Sequence, residues 1–312
     1  MIKIVLLFIL GLVLICLGGD KLVDAAVVIA EKLGIPQIVV GATIVSLGTT
    51  LPEILVSTTA IFNGSAAISA GNAFGSIICN TALIAVLTQT IAPAKSVNTG
   101  SVTWRAAFFF AVIAVVEAIA FATHMAGHLT GIGLLAAFAV YAYLNVKRSS
   151  SEKEEEEEGE KAEEGGMPRQ IITLAVCAVL LYFGAKLLVD NGILIAEAAG
   201  VPERVIAVTF IALGTSLPEL VTSMVSIIKG FGSVGLGNII GANILNLLLV
   251  IGIPAAFSTI PLESGTIMTD IPLAALVMAV LILPMLIRKK SSRVQGVLLL
   301  CIYAGYCICS FL

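Results

Sequence analysis

Apolar residues run along this chain in long blocks, too long for the alternation of a strand and too continuous for the single stripe of a surface helix. Ten blocks, approximately 3–31, 36–62, 66–92, 102–123, 127–147, 170–198, 203–229, 233–256, 268–288 and 293–311, each come near the ~20 residues needed to cross a ~30 Å hydrocarbon core. The pattern predicts an all-α integral membrane protein with ten transmembrane helices. The first block, Lys3 followed by IVLLFILGLVLICLGG, has the makeup of a secretory signal. A copy of its end recurs mid-chain, so it reads as a spanning helix.

Composition supports this. Of 312 residues, 59% are hydrophobic and 12% charged, about half the charge a water-soluble domain of this size carries. A soluble enzyme is excluded. Residues 147–169 hold 14 of the 37 charged side chains, including nine Glu; the other 289 residues carry 12 basic and 11 acidic groups. The net charge of −3 therefore describes one acidic segment and supports no nucleic-acid partner. That segment, SEKEEEEEGEKAEEGG, cannot bury a core and is expected to be disordered or a frayed helix. All six Cys lie inside apolar blocks and read as small core residues, with no disulfide, metal or redox role inferred.

Lys and Arg set the orientation. Loops after blocks 1, 3, 5, 7 and 9 hold thirteen of them, from Lys32 to Arg293, against only Lys3 and Arg204 on the other side. By the positive-inside rule the thirteen are cytoplasmic, both termini are extracellular, and the Glu-rich linker is cytoplasmic. The expected location is the cell membrane, as a multi-pass protein.

The chain also repeats itself at an offset of 166: GATIVSLGTTLPEILVSTTAIFNG (41–64) aligns with AVTFIALGTSLPELVTSMVSIIKG (207–230), and GNAFGSIICN (71–80) with GNIIGANILN (237–246). The chain thus divides into a first repeat, 1–147, a linker, 148–169, and a second repeat, 170–312. Five spans per repeat is an odd number, so the halves enter the membrane with opposite topology. Transporters built this way hold substrate near the midplane where the repeats meet.

Gly48-Thr49-Thr50-Leu51-Pro52-Glu53 and Gly214-Thr215-Ser216-Leu217-Pro218-Glu219 interrupt apolar blocks near their middles. Pro removes a backbone donor, so the helices should break and free the carbonyls of Ser46, Thr49, Ala212 and Thr215. An ionised carboxylate at the bilayer centre costs at least ~2.5 kcal/mol, so Glu53 and Glu219 need a cationic partner. No Lys or Arg lies at matching depth in these blocks, which leaves bound metal ions. The second duplicated segment adds Ser76 and Asn80, spaced to share a helix face, with Ala242 and Asn246 at the equivalent positions. Gly71, Gly75, Gly237 and Gly241 permit close helix contact. Two carboxylates, two Asn carbonyls, the hydroxyls of Thr50, Ser76 and Ser216 and several backbone carbonyls suit hard cations of roughly 1 Å radius, Na⁺ or Ca²⁺. His and Cys are missing from this set, which argues against Zn²⁺ or Cu⁺.

GTTLPE and GTSLPE, each followed by GN-x-x-G-x-x-x-x-N, resemble the two alpha-repeats of the calcium/cation antiporter superfamily, and specifically its compact prokaryotic sodium/calcium exchangers. The resemblance covers essentially the whole chain. It implies a core of broken helices 2, 3, 7 and 8, no cofactor, and an antiporter in which Na⁺ and Ca²⁺ compete while access alternates between the two faces. By that resemblance a central calcium site takes Glu53, Glu219 and the carbonyls of Thr49 and Thr215. Sodium sites take Ser46 carbonyl, Thr50, Glu53 and Ser76 on one side and Ala212 carbonyl, Thr215, Ser216 and Glu219 on the other, with Asn80 and Asn246 counted among the sodium ligands. The partners are then Na⁺, Ca²⁺ and the lipid bilayer, and a monomer is expected to suffice.

Some exchangers of the family carry Ser at the position of Ala242 and Asp at that of Asn246. Losing the hydroxyl should weaken the second sodium site. With Asn at both 80 and 246 the cluster reaches −2, which balances one Ca²⁺ and leaves +1 with three Na⁺. The nearest alternative is proton-coupled Ca²⁺ exchange. A channel would present a ring of identical ligands, and an intramembrane hydrolase would need a nucleophile motif that is not recognisable here. Asp20, Asp24, Lys186 and Asp190, near the ends of blocks 1 and 6, are expected to snorkel or form local ion pairs.

Overall fold

A computed structural model describes residues 1–85, 99–149, 166–200 and 212–311. The described residues are almost wholly helical: α1 (Ile2–Leu33), α2 (Gln37–Thr49), α3 (Leu51–Phe62), α4 (Ala67–Ile84), α5 (Thr99–Thr123), α6 (His128–Ser149), α7 (Met167–Ala198), α8 (Ala212–Thr215), α9 (Leu217–Ile228), α10 (Gly232–Phe257), α11 (Thr266–Arg288) and α12 (Arg293–Phe311). Two short strands, β1 (Met125–Ala126) and β2 (Ile260–Pro261), pair antiparallel and tie the two halves together. Among the described residues seven helices (α1, α4, α5, α6, α7, α10, α11) are long and apolar enough to cross a membrane, and the bent pair α2–α3 makes an eighth. Two shorter apolar helices are Leu217–Ile228 and Arg293–Ile308. The Glu-rich stretch 150–165, the end of the third block and the start of the seventh lie outside the described residues.

Duplicated sequence gives duplicated turns. Gly34 closes α1 at φ 60°, with its N–H on Glu31 O at 3.2 Å; Gly200 follows α7 at φ 77°, with its N–H on Glu197 O at 3.0 Å. Gly64 (φ 77°) and Gly230 (φ 85°) close α3 and α9, and the next N–H in each reaches back to Ala60 O at 2.8 Å and Ser226 O at 2.7 Å. These are left-handed caps, which a residue bearing a Cβ adopts only under strain.

The helix most deeply enclosed is α10, which packs across α2. A Cβ on Gly41 would lie 2.3 Å from Val234 O, and one on Gly237 would lie 2.4 Å from Ile38 O. Backbones touch here because no side chain intervenes. Gly241 is equally tight against Ala42, whereas Gly71 and Gly75 have no such neighbour among the described residues. Positions 204 and 208, which correspond to Ile38 and Ala42, lie outside those residues.

Helices α1 and α7 form a separate close pair, in which a Cβ on Gly11 would meet Gly184 O at 2.7 Å. Charged residues on these helices form ion pairs, local at Lys186 and long-range at Asp20 and Asp24. Lys186 pairs with Asp190 at 3.1 Å, while Lys229, at the end of α9, holds Asp20 at 2.7 Å and Asp24 at 2.6 Å.

One expectation needs correction. Among the described residues, which in span 3 end at 85, spans 3 and 8 are not broken: α4 and α10 run on, and each widens to a π-helical turn, over Asn80–Ile84 and Asn246–Ile251. Neither turn contains Pro, so every residue keeps its backbone donor and the helix loosens instead of breaking.

Candidate cation site

The chain bends by 42° between α2 and α3. Thr50 forms the joint at φ −79°, ψ −3°, Pro52 stands in the opening turn of α3, and Glu53 is in its first turn. The second half repeats this with Ser216 at φ −89°, ψ 4°, then Pro218 and Glu219. Neither Pro52 nor Pro218 has an N–H for the carbonyl four residues back, which is why the interruption falls here. It is narrower than expected at one point, because the Ser46 carbonyl is not released. It accepts the Thr50 N–H at 2.9 Å and shares the one Thr49 hydroxyl proton, at 3.3 Å, with Asn238 Oδ1 at 3.1 Å, so an ion there would share the oxygen with the Thr50 N–H. On the other side Ala212 and Thr215 belong to the short helix α8 that ends at the break.

Thr49, Thr50, Glu53, Ser76, Asn80, Ser216, Glu219 and Asn246 are all between 0 and 2% exposed, and Thr215 is partly buried. The two halves meet through them. Thr50 Oγ1 donates to Glu219 Oε1 at 3.3 Å, while Glu53 lies beside Ser76 and within electrostatic reach of Glu219. Asn80 and Asn246 are the first residues of the two π turns.

Much of this polar surface is unsatisfied. Both Glu53 carboxylate oxygens, Glu219 Oε2, the Ser76 and Ser216 hydroxyls, and both carboxamide atoms of Asn80 and Asn246 have no hydrogen-bond partner among the described residues. Each such group costs ~1–3 kcal/mol when buried, and a charged one costs more. Among the described residues no Lys or Arg pairs with either Glu. A set of oxygens this dense and this unsatisfied fits a hard cation.

Three features were not read from the sequence. Asn72 and Asn238, the second residues of the two GN segments, brace the site from behind. Asn72 Nδ2 donates to Glu53 O at 3.1 Å and to Ser57 Oγ at 2.9 Å, and Asn238 Nδ2 donates to Ser223 Oγ at 3.3 Å. Each also accepts a Thr hydroxyl from the opposite half: Thr49 Oγ1 to Asn238 at 3.1 Å, Thr215 Oγ1 to Asn72 at 3.5 Å. Their duplication at the 166-residue offset was the available signal. The third is Cys79. Its thiol lies beside Ser216 and within electrostatic reach of both Glu, so a soft atom does border the oxygen cluster. Ala242, which takes the place of Ser76 in the second half, is buried and brings no hydroxyl.

The chain is similar to known proteins along nearly its whole length. A profile of the sodium/calcium exchanger protein family matches residues 3–147 and 169–312. The sodium/calcium exchanger MaX1 of Methanosarcina acetivorans is 30% identical over 342 aligned positions, covering 98% of each chain. A putative antiporter CaxA of Alkalimonas amylolytica is 30% identical over 95% of each. Among solved structures, the sodium-calcium exchanger NCX_Mj soaked with Na⁺ and Sr²⁺ superposes with a TM-score of 0.82 at 30% identity, covering 97% of both chains. In sequence and in fold, then, this chain belongs to the sodium/calcium exchanger family.

Proposed function

We propose that this chain is a sodium/calcium antiporter, coupling inward Na⁺ movement to Ca²⁺ extrusion across the cell membrane. The observation that carries this reading is the cluster of buried, unpartnered oxygens where the two halves meet. Ca²⁺ is held by Glu53 and Glu219 with the carbonyls of Thr49 and Thr215. Na⁺ is held by Ser46 carbonyl, Thr50, Glu53, Ser76 and Asn80 on one side and by Ala212 carbonyl, Thr215, Ser216, Glu219 and Asn246 on the other. Both ions need the same two carboxylates, so they exclude one another, and that competition couples their movements.

The proposed architecture is ten spans in two five-helix repeats of inverted topology, 1–147 and 170–312, joined by a cytoplasmic linker, 148–169. Support comes from the matched caps at Gly34 and Gly200 and at Gly64 and Gly230. The reciprocal Thr–Asn bonds between the halves support it further. One chain supplies the whole cluster, so a monomer suffices. Both termini are placed outside by the distribution of Lys and Arg. The transport is not enzymatic and uses no cofactor.

The test is uptake of radiolabelled Ca²⁺ into proteoliposomes loaded with Na⁺, compared with Na⁺-free vesicles at a matched pH gradient. Uptake should require internal Na⁺. Equal uptake driven by protons alone would replace sodium coupling with proton coupling.

A further inference from the structure

We infer that Lys229, held by Asp20 and Asp24, is a one-sided latch. It fastens the end of α9 to α1 in one of the two access states, and the duplicated sequence provides no counterpart for the other state. The inference rests on the alternating-access antiporter proposed above. In a chain of two inverted repeats, a seam closed in one half in the first state is closed in the other half in the second. Contacts that differ between the halves therefore mark the state, and residues that differ between them mark what biases it.

The contacts differ. Helix α1 packs along α9, whereas the duplicate pairing, α7 with α3, is a marginal contact. A Cβ on Gly19 would lie 2.9 Å from Val221 Cγ1 and 3.7 Å from Thr222 Oγ1, so α1 meets α9 with no side chain between them at this point. Thr222 is buried, while Val56 at the same place on α3 is 38% exposed. Lys229 closes the end of the seam, 2.7 Å from Asp20 and 2.6 Å from Asp24, and its ammonium also donates to Asp20 O at 3.4 Å. Lys21 approaches Asp24 too, at 3.6 Å, but that contact lies within α1.

The residues differ as well. At the offset of 166, Lys229 corresponds to Asn63, Asp20 to Lys186 and Gly19 to Ala185; Asp24 alone keeps its charge, as Asp190. Asn63 is exposed, and Lys186 and Asp190 pair with one another along α7, each more than half exposed. Closing α7 on α3 would bring that pair to an uncharged Asn63 and place the Ala185 methyl where α1 has none. An interaction made in one state alone shifts the balance toward that state by its own strength. By the distribution of Lys and Arg the latched end is cytoplasmic, so the favoured state is the one closed on that side.

The experiment is hydrogen–deuterium exchange of the intact chain in lipid nanodiscs without Ca²⁺, each variant read against the wild type. In Lys229→Gln, exchange at 222–230 should rise about 5-fold, the order that one partly exposed ion pair supplies, and exchange at 56–64 should fall. Lys229→Arg should match the wild type. Asn63→Lys/Lys186→Asp builds the same three charges on the other side, and should produce the same reciprocal change with Lys229 intact. Gel filtration and circular dichroism verify that the variants are folded. A rise at 222–230 alone in Lys229→Gln would mean fraying of α9 and would overturn the latch, as would unchanged exchange at 56–64 in the double variant. Exchange protection does not depend on which ion drives transport, so a failure of sodium coupling leaves this test standing.

Discussion

Thr49 in the first half donates its hydroxyl to Asn238 in the second at 3.1 Å, and the duplicate of that bond runs from Thr215 to Asn72 at 3.5 Å. Each Asn also braces the helix that carries a Glu, so the bonds fix the two halves of the site against one another. Replacing Thr49 with Val keeps the shape and removes the donor, leaving Asn238 Oδ1 without it. The expected cost is ~1–2 kcal/mol, within the range for buried and intramembrane hydrogen bonds. Thermal unfolding should show it, together with weaker Ca²⁺ affinity. The shorter of the two bonds should matter more, so Thr215→Val should be milder.

Glu53→Gln and Glu219→Gln each remove one of the two negative charges proposed to balance Ca²⁺. Transport should fall below detection in both variants, as measured by Na⁺-dependent Ca²⁺ uptake, while helicity by circular dichroism is retained. Exchange at the wild-type rate in either variant would remove the central site.

Ala242 occupies the place of Ser76 without its hydroxyl. Ala242→Ser should add an oxygen to the proposed second sodium site and lower the Na⁺ concentration for half-maximal exchange severalfold. Ser76→Ala should move that concentration the other way. Titrating internal Na⁺ in vesicles reads both effects. A rise in required Na⁺ with Ala242→Ser would mean that the added oxygen crowds the site instead of ligating.

Lys229 holds α1 to the end of α9 through Asp20 and Asp24, with 39% of the Asp20 side chain and 16% of that of Asp24 exposed. Lys229→Met leaves both carboxylates beside one another, with Lys21, 3.6 Å from Asp24, as the remaining cation. Water reaches Asp20, so the loss should be roughly 1–2 kcal/mol, below the ~3–5 kcal/mol of a fully buried pair. Thermal unfolding should show it at low salt and less at high salt. Equal destabilisation at both ionic strengths would assign the effect to packing of the Lys stem instead.

Much of the site was legible because it is written twice. Glu53 and Glu219, the Pro beside each, and the Asn that ends each GN segment stand at one offset. The breaks at Thr50 and Ser216 follow from Pro chemistry, which acts locally. The π turns at Asn80 and Asn246 did not follow: neither contains a Pro, although Pro254, just beyond the second, offers no N–H to Val250 O within it. Asn72 and Asn238 were passed over too. A carboxamide beside Gly reads as helix packing until its partners are known, and those partners are Ser57 and Thr215 in one case and Ser223 and Thr49 in the other. Cys79 was read as a core residue by its apolar surroundings, and only packing put its thiol beside Ser216.

Local chemistry along the chain was enough for the apolar blocks, the duplication, the helix breaks and the two carboxylates. These depend on side-chain hydrophobicity, on the missing proline donor and on counting charges, none of which needs a third dimension. Packing decided which oxygens remain unsatisfied among the described residues, that Thr50 reaches Glu219 while both Glu53 oxygens have no partner among them, and that Lys229 is taken up by Asp20 and Asp24. Those facts join residues far apart in sequence, and a hydrogen bond acts over about 3 Å of space whatever the separation along the chain.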